Sequence, residues 1–105
     1  MAALPSARSL KLMRERGYRS QVVERWNPFA KIRQDLFGII DIVCVGSGGT
    51  VGVQATSASH VSERIAKIED SDALIDLRAA GWTIVVHGWK KNKKGRWEVR
   101  EVDIS

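Results

Sequence analysis

Gly38-Ile39-Ile40-Asp41-Ile42-Val43-Cys44-Val45, then Gly46-Ser47-Gly48-Gly49, then Thr50-Val51-Gly52-Val53-Gln54-Ala55-Thr56 is the stretch that decides the reading of this chain. The first run is apolar and β-branched, the four small residues form a turn, and the last run returns as a second strand. With the loop at 46–49, Val45 pairs with Thr50 and paired numbers sum to 95. That register puts Asp41 opposite Gln54 on one face, with Cβ atoms about 5 Å apart, and Ile39 opposite Thr56. A lone carboxylate among Ile39, Ile40, Ile42 and Val43 is costly to bury unless a metal ion, a base or a set of backbone donors compensates it. Gln54 offers an amide oxygen suited to a hard cation such as Mg²⁺. An Asp41–Gln54 hydrogen bond that fixes strand register accounts equally well for the same spacing.

Outward from the hairpin, Ser6 caps a helix running to about Arg16, with Leu10 and Met13 on one side and Gly17 as its stop. Tyr18–Trp26 is rich in β-formers and reads as a strand ended by Asn27-Pro28. After Ser57 the period changes. Val61, Ile65 and Ile68 recur at helical spacing, as do Leu74 and Leu77, with Asp70-Ser71-Asp72 interrupting and Gly81 ending the helical stretch. Trp82–Trp89 is a strand, Asn92-Lys93-Lys94-Gly95 a turn, and Arg96–Ile104 a closing strand. The predicted order is α-β-β-β-α-β-β, an α/β fold with a mixed central sheet flanked by helices and a helix crossing back to the sheet.

The chain has 105 residues, 44% hydrophobic and 28% charged, which suits one folded domain over 1–105 and excludes a disordered chain. A core this small makes a homodimer an expectation. Cys44 is the only cysteine, so no internal disulfide forms and nothing points to an oxidising compartment. The run Gly38–Val45 is too short to span a bilayer and is broken by Asp41, and the N-terminus lacks the apolar core of a signal peptide. A cytoplasmic protein without a membrane role is expected. The net charge of +5 is unevenly spread. Residues 1–34 carry eight Lys/Arg against Glu15 and Glu24, residues 35–88 three against seven acids, and residues 89–105 six against three. Two basic flanks enclosing an acidic middle attract polyanions, although basicity alone also serves solubility.

An early helix, a strand-borne Asp, a hairpin partner carrying an acid-x-Lys triplet, then a helix and another strand describe the PD-(D/E)XK nuclease superfamily. Asp35-Leu36-Phe37-Gly38-Ile39-Ile40-Asp41 followed by Gly52-Val53-Gln54-Ala55-Thr56 resembles its small phage and archaeal branch, related to Holliday-junction resolvases. The resemblance covers roughly residues 6–90 and implies a restriction-endonuclease-like core in a phage or prokaryotic host cell. It implies that Asp41 binds metal, that Gln54 stands where the family has Glu and Thr56 where it has Lys, and that the Ala55 carbonyl is a main-chain metal ligand. Gln for Glu removes a charge from the metal site, and Thr for Lys removes the cation that orients the attacking water. Asp35 and Glu24 are candidates to restore carboxylate charge, and Lys31, Arg33 or Lys67 to supply the cation.

His60, Arg64 and Lys67 fall at i, i+4 and i+7, which makes either a phosphate-binding ridge or a solvated helix face. His60 has no second spaced His or Cys for zinc. Lys90, Lys91, Lys93, Lys94 and Arg96 lie between Trp89 and Trp97, so the tip suits groove or single-strand contacts with an indole stacked on a base. An edge hairpin whose lysines discourage aggregation has the same composition. Arg8, Lys11, Arg14 and Arg16 extend the basic surface or line a dimer edge. Gly46-Ser47-Gly48-Gly49 lacks the Lys-Ser/Thr of a phosphate loop, and the Ser/His candidates have no positioned third partner. The leading expectation is therefore a small endodeoxyribonuclease using Mg²⁺ or Mn²⁺, dimeric so that two sites address two strands, with structure-specific cutting of branched DNA as a candidate activity. The alternatives are a catalytically inactive nuclease fold that binds nucleic acid and a small basic protein that binds an acidic partner.

Overall fold

The computed structural model describes residues 4–105. Its first helix, α1 (Pro5–Glu15), begins with Pro at the first turn, where a preset φ and a missing N–H cost nothing; Ser6 is inside the helix rather than capping it. Gly17, at φ 95°, ends the helix, and the Tyr18 N–H closes back on the Met13 carbonyl at 3.1 Å. The expected strand Tyr18–Trp26 is divided. Arg19–Val22 forms β1, whereas Arg25–Asn27 forms β2 and pairs with β3 (Ile32–Gln34) in a separate two-stranded hairpin. Asn27 does end a strand, the short β2, and Pro28 opens the turn into β3.

The central hairpin follows as β4 (Ile42–Gly46) and β5 (Gly49–Ser57). Val45 pairs with Thr50 as expected, and the ladder runs on to Gly46 and Gly49, leaving the two-residue loop Ser47-Gly48 instead of four residues. Gly38–Ile40 does not belong to the strand. Leu36 and Ile40 bridge each other across a tight turn in which Phe37 and Gly38 both adopt positive φ, 55° and 76°. A 3-10 turn (Ala58–His60) leads into α2 (Val61–Glu69) and then α3 (Ala73–Ala79), with the break at residues 70–72 as the sequence indicates. The last elements are β6 (Thr83–Lys91) and β7 (Trp97–Asp103).

The five-stranded sheet has the order β1-β4-β5-β6-β7. Only β5 and β6 are parallel, and α2 with α3 supplies the crossover that a parallel pair requires. Alternation along the strands gives each face its own core. Met13 of α1 packs on Ile42, Cys44, Val51, Val53 and Val85. On the other face Val61, Ile68, Leu74 and Leu77 of the crossover pack on Ile39, Ile40, Ile84 and Val86. Gly88 fixes how α2 begins: a Cβ there would lie 2.2 Å from Val61 Cγ2 and 3.0 Å from Ala58 Cα. Its bare backbone lets the start of α2 rest on β6, which turns Arg64 and Lys67 toward the end of β5. No helix among the described residues is long and apolar enough to cross a membrane.

Candidate metal and nucleic-acid site

The tight turn at 36–40 carries the chain back so that Asp35 and Asp41 meet although six residues separate them. Asp41 stands one residue before β4, buried on the α2 face. Its N–H donates to the Val53 carbonyl at 2.9 Å, its carbonyl accepts the Val23 N–H at 2.8 Å, and its Oδ2 accepts the Ala55 N–H at 2.8 Å. The Val23 contact brings in Glu24 beside it. Oxygens of Glu24, Asp35 and Asp41 lie within 4.8 Å of one another, a spacing at which one cation can touch all three.

Gln54 is buried beside them; its Nε2 donates to Asp35 Oδ2 at 3.3 Å and its amide also favours the ionised form of Asp41, so it is shared between the two acids and not committed to the Asp41–Gln54 pair alone. Its Oε1, like Arg64 Nε, is buried with no hydrogen-bond partner among the described residues. Burial and the adjacent Asp35 carboxyl push Asp41 up to about 7 against the Ala55 N–H that favours its ionised form. Three carboxylates and an unmatched amide oxygen make an acceptor-rich centre of the kind a hard cation satisfies.

Cations stand around this centre. Arg33 reaches Glu24 Oε1 at 2.8 Å, and Lys67 Nζ lies 3.4 Å from Asp35 Oδ2. Together with Arg64 they line an open cleft of about 300 Å³ over the acids and Gln54. An adjoining cleft of about 380 Å³ extends past the buried Thr56 to Leu4, Pro5 and Ser6 at the start of α1. A larger open cavity, about 990 Å³, is elsewhere, between edge strand β1 and Phe37, Val43, Val45 and Trp82. It has no carboxylate, histidine or cysteine in its lining, so the candidate metal ligands lie in the smaller acidic clefts.

Several expected positions move. Lys31 is exposed in the β2–β3 turn at φ 55° and lines neither acidic cleft, so Arg33 and Lys67 are the cations at the acids. The ridge of His60, Arg64 and Lys67 is split: His60 precedes α2 and turns to Glu63 at 3.0 Å, while only Arg64 and Lys67 face the cleft. Lys90, Lys91, Lys93, Lys94 and Arg96 are all exposed on the β6–β7 hairpin. Thr56 pairs with Gly88, so these lysines start beyond the same end of the sheet, about 7 Å past the level of Thr56. The two tryptophans there are not free stacking platforms. Trp89 is buried and donates its Nε1–H to Ser9 Oγ at 2.8 Å, and the Arg8 guanidinium covers the Trp97 ring at 3.7 Å.

A second polar cluster corrects the expectation that the Ser/His candidates lack a third partner. Ser9 Oγ lies 2.8 Å from His87 Nδ1, and His87 Nε2 lies 2.7 Å from Glu101 Oε2, which Arg16 also holds at 2.6 Å. Glu101 can only accept, so Nε2 carries the hydrogen; Trp89 can only donate, so Ser9 turns its own hydrogen to Nδ1. Burial keeps His87 below the usual histidine range despite Glu101. Ser9 and His87 are both fully buried, so no substrate reaches the hydroxyl and the triad-like geometry is a core network, not a nucleophile. No family model, curated protein or solved structure matches the chain.

Proposed function

We propose that this chain is a divalent-cation-dependent endodeoxyribonuclease with a restriction-endonuclease-like core, hydrolysing phosphodiester bonds at the Glu24–Asp35–Asp41 centre. The observation that carries this reading is the convergence of three carboxylates and the unpaired Gln54 Oε1 beneath a rim of Arg33, Arg64 and Lys67. Mg²⁺ or Mn²⁺ bound there would acidify a water and stabilise charge on the pentavalent phosphate. Asp41, Asp35 and Glu24 would hold the ion, with Gln54 Oε1 as a neutral fourth ligand that makes up for the missing Glu. The Ala55 N–H orients the Asp41 carboxylate. Lys67, on α2, stands in for the strand lysine that Thr56 replaces, and Arg33 and Arg64 draw the phosphate to the cleft. The basic β6–β7 hairpin extends the track for DNA at the same end of the sheet.

A homodimer belongs to this reading: β1 is a free edge, and Phe37 and Val45 are exposed in the apolar trough beside it. The second reading, a nucleic-acid-binding module that no longer cuts, is favoured by one observation. Glu24 and Asp35 are already engaged by Arg33 and Lys67, which can neutralise the acids without a metal. Labelled junction, flap, duplex and single-stranded DNAs incubated with Mg²⁺, Mn²⁺ or EDTA decide between them. Metal-dependent cutting that drops at least 10³-fold in Asp41→Ala is expected. Tight, salt-sensitive binding without cutting by either protein would give the second reading. Absence of both would leave the basic partner-binding protein.

A further inference from the structure

The β2–β3 hairpin contributes nothing to either core, yet it carries the most exposed aromatic side chain of the described residues. Its strands pair only with each other, and none of residues 25–34 packs in a core cluster. Trp26 is 59% exposed, Ile32 51% and Phe29 97%. Single exposed apolar residues are ordinary, but three on one ten-residue hairpin, Trp26 and Ile32 on opposite faces of the ribbon and Phe29 at its tip, need a reason. The only charges between them are Arg25, Lys31 and Arg33, all positive.

The tip is built to hold its shape. Asn27 Oδ1 accepts the N–H groups of Phe29 at 3.0 Å and Ala30 at 3.1 Å, Pro28 fixes the intervening φ, and Lys31 closes the turn in the left-handed region. Phe29 is therefore held out from an ordered backbone, which lowers the entropy lost when its ring meets a ligand. The hairpin also has its roots in the acidic centre, because Glu24 and Asp35 flank it. Trp26 pairs across the strands with Arg33, whose guanidinium holds Glu24. A stem of three residue pairs puts the tip about 10 Å from those roots, the span of about three stacked nucleotides.

We propose that the hairpin is an arm that engages unstacked bases beside the phosphate at the acidic centre. Phe29 stacks on, or wedges against, an open base step, and Arg25 and Lys31 contact flanking phosphates. The proposal rests on the reading of the site as one that acts on DNA. Nucleic acid suits the hairpin better than a protein does: its charges have one sign, and ten residues are at most about half of the roughly 20–30 a side that a stable protein interface uses. Prising an intact duplex step apart costs free energy that an already unpaired base does not, so the arm selects DNA with a bulge or a flap over continuous duplex.

The test measures binding of the full-length protein to fluorescein-labelled duplex, two-nucleotide bulge and flap DNAs in Ca²⁺ buffer, alongside cutting in Mg²⁺. Wild type is expected to bind bulge and flap at least tenfold more tightly than duplex. Phe29→Ala should reduce that ratio to under threefold with duplex affinity within twofold, Trp26→Ala should reduce it less, and Phe29→Trp should retain it. A 2-aminopurine in the bulge should change fluorescence with wild type and not with Phe29→Ala. Both positions are exposed, so unchanged circular dichroism and melting are expected. An unchanged ratio in Phe29→Ala overturns the arm, as does a change in oligomeric state with DNA binding intact, which would make the hairpin a protein contact. Failure of the site is read separately: cutting indifferent to Asp41→Ala sinks the nuclease reading, while the arm stands or falls on the binding ratio. No DNA binding by wild type overturns both.

Discussion

Two polar clusters are buried on opposite faces of one sheet, and they differ in what they leave unmet. On the α1 face Trp89, Ser9, His87, Glu101 and Arg16 form a chain in which each donor has an acceptor. On the α2 face three carboxylates converge, an amide oxygen has no partner, and Asp41 is pushed up to about 7. The first cluster has the residue types of a hydrolase triad and is complete within the protein. The second lacks a central positive charge. Unmet bonding capacity, and not buried polarity or a familiar set of residues, makes the acidic cluster the candidate ligand site and the other a tie between elements of secondary structure.

The largest way to strain this comparison is His87→Ala. It leaves the Ser9 hydroxyl without its acceptor and Glu101 without its His87 donor, and opens a cavity, so the loss should be about 3 kcal/mol, with melting lowered by more than about 10 °C by calorimetry. Cutting per folded molecule should stay within threefold. A loss under about 1 kcal/mol would mean that the network holds nothing together.

Stability against pH in EDTA gives the next largest effect, with opposite signs for the two clusters. Between its ordinary 3.8 and about 7, folded Asp41 keeps a proton that the unfolded chain releases, so its contribution falls as pH rises through that range. His87 behaves inversely. Its ordinary value is 6.5 and its folded value is lower, so its contribution is present above 6.5 and is lost as pH falls through the folded value. Urea midpoints at pH 5, 6.5 and 8 should show Asp41→Asn more stable than wild type by a few kcal/mol at pH 8, and Mn²⁺ should stabilise wild type alone. Equal Mn²⁺ stabilisation of Asp41→Asn would argue against the acidic centre as the ion's position.

The smallest stability effect belongs to Lys67. Its pair with Asp35 is half exposed, so Lys67→Ala should shift stability by no more than about 0.5 kcal/mol. Cutting should fall by about 10- to 100-fold, with partial recovery in Lys67→Arg. Lost stability with unaltered cutting would recast Lys67 as a structural tie.

Where local chemistry governs, the sequence was legible. Small residues at 46–49 located the hairpin turn and the 45–50 register, Gly17 and Gly81 ended helical stretches, and residues 70–72 split the crossover. What escaped was non-local or broke a preference. The turn at 36–40 depends on a phenylalanine at φ 55°, which no propensity anticipates, and without it Asp35 is six residues from Asp41 instead of beside it. The β2–β3 hairpin gives no alternating burial because both its faces meet solvent, so Trp26 passed for the end of a core strand. Ser9 and His87 are 78 residues apart, and only the packing of α1 across β6 joins them.

Glu24 and Asp35 close the base of the ten-residue segment between them, so an ion they share would act on that segment as a crosslink acts on a loop. Such a clip works by removing conformations from the open chain, and the short segment has few to begin with. Stiffness at Phe29 would then depend on the occupancy of the centre some 10 Å away, about the length of three residue pairs. Amide exchange in residues 25–34 would slow as the free cation concentration rises.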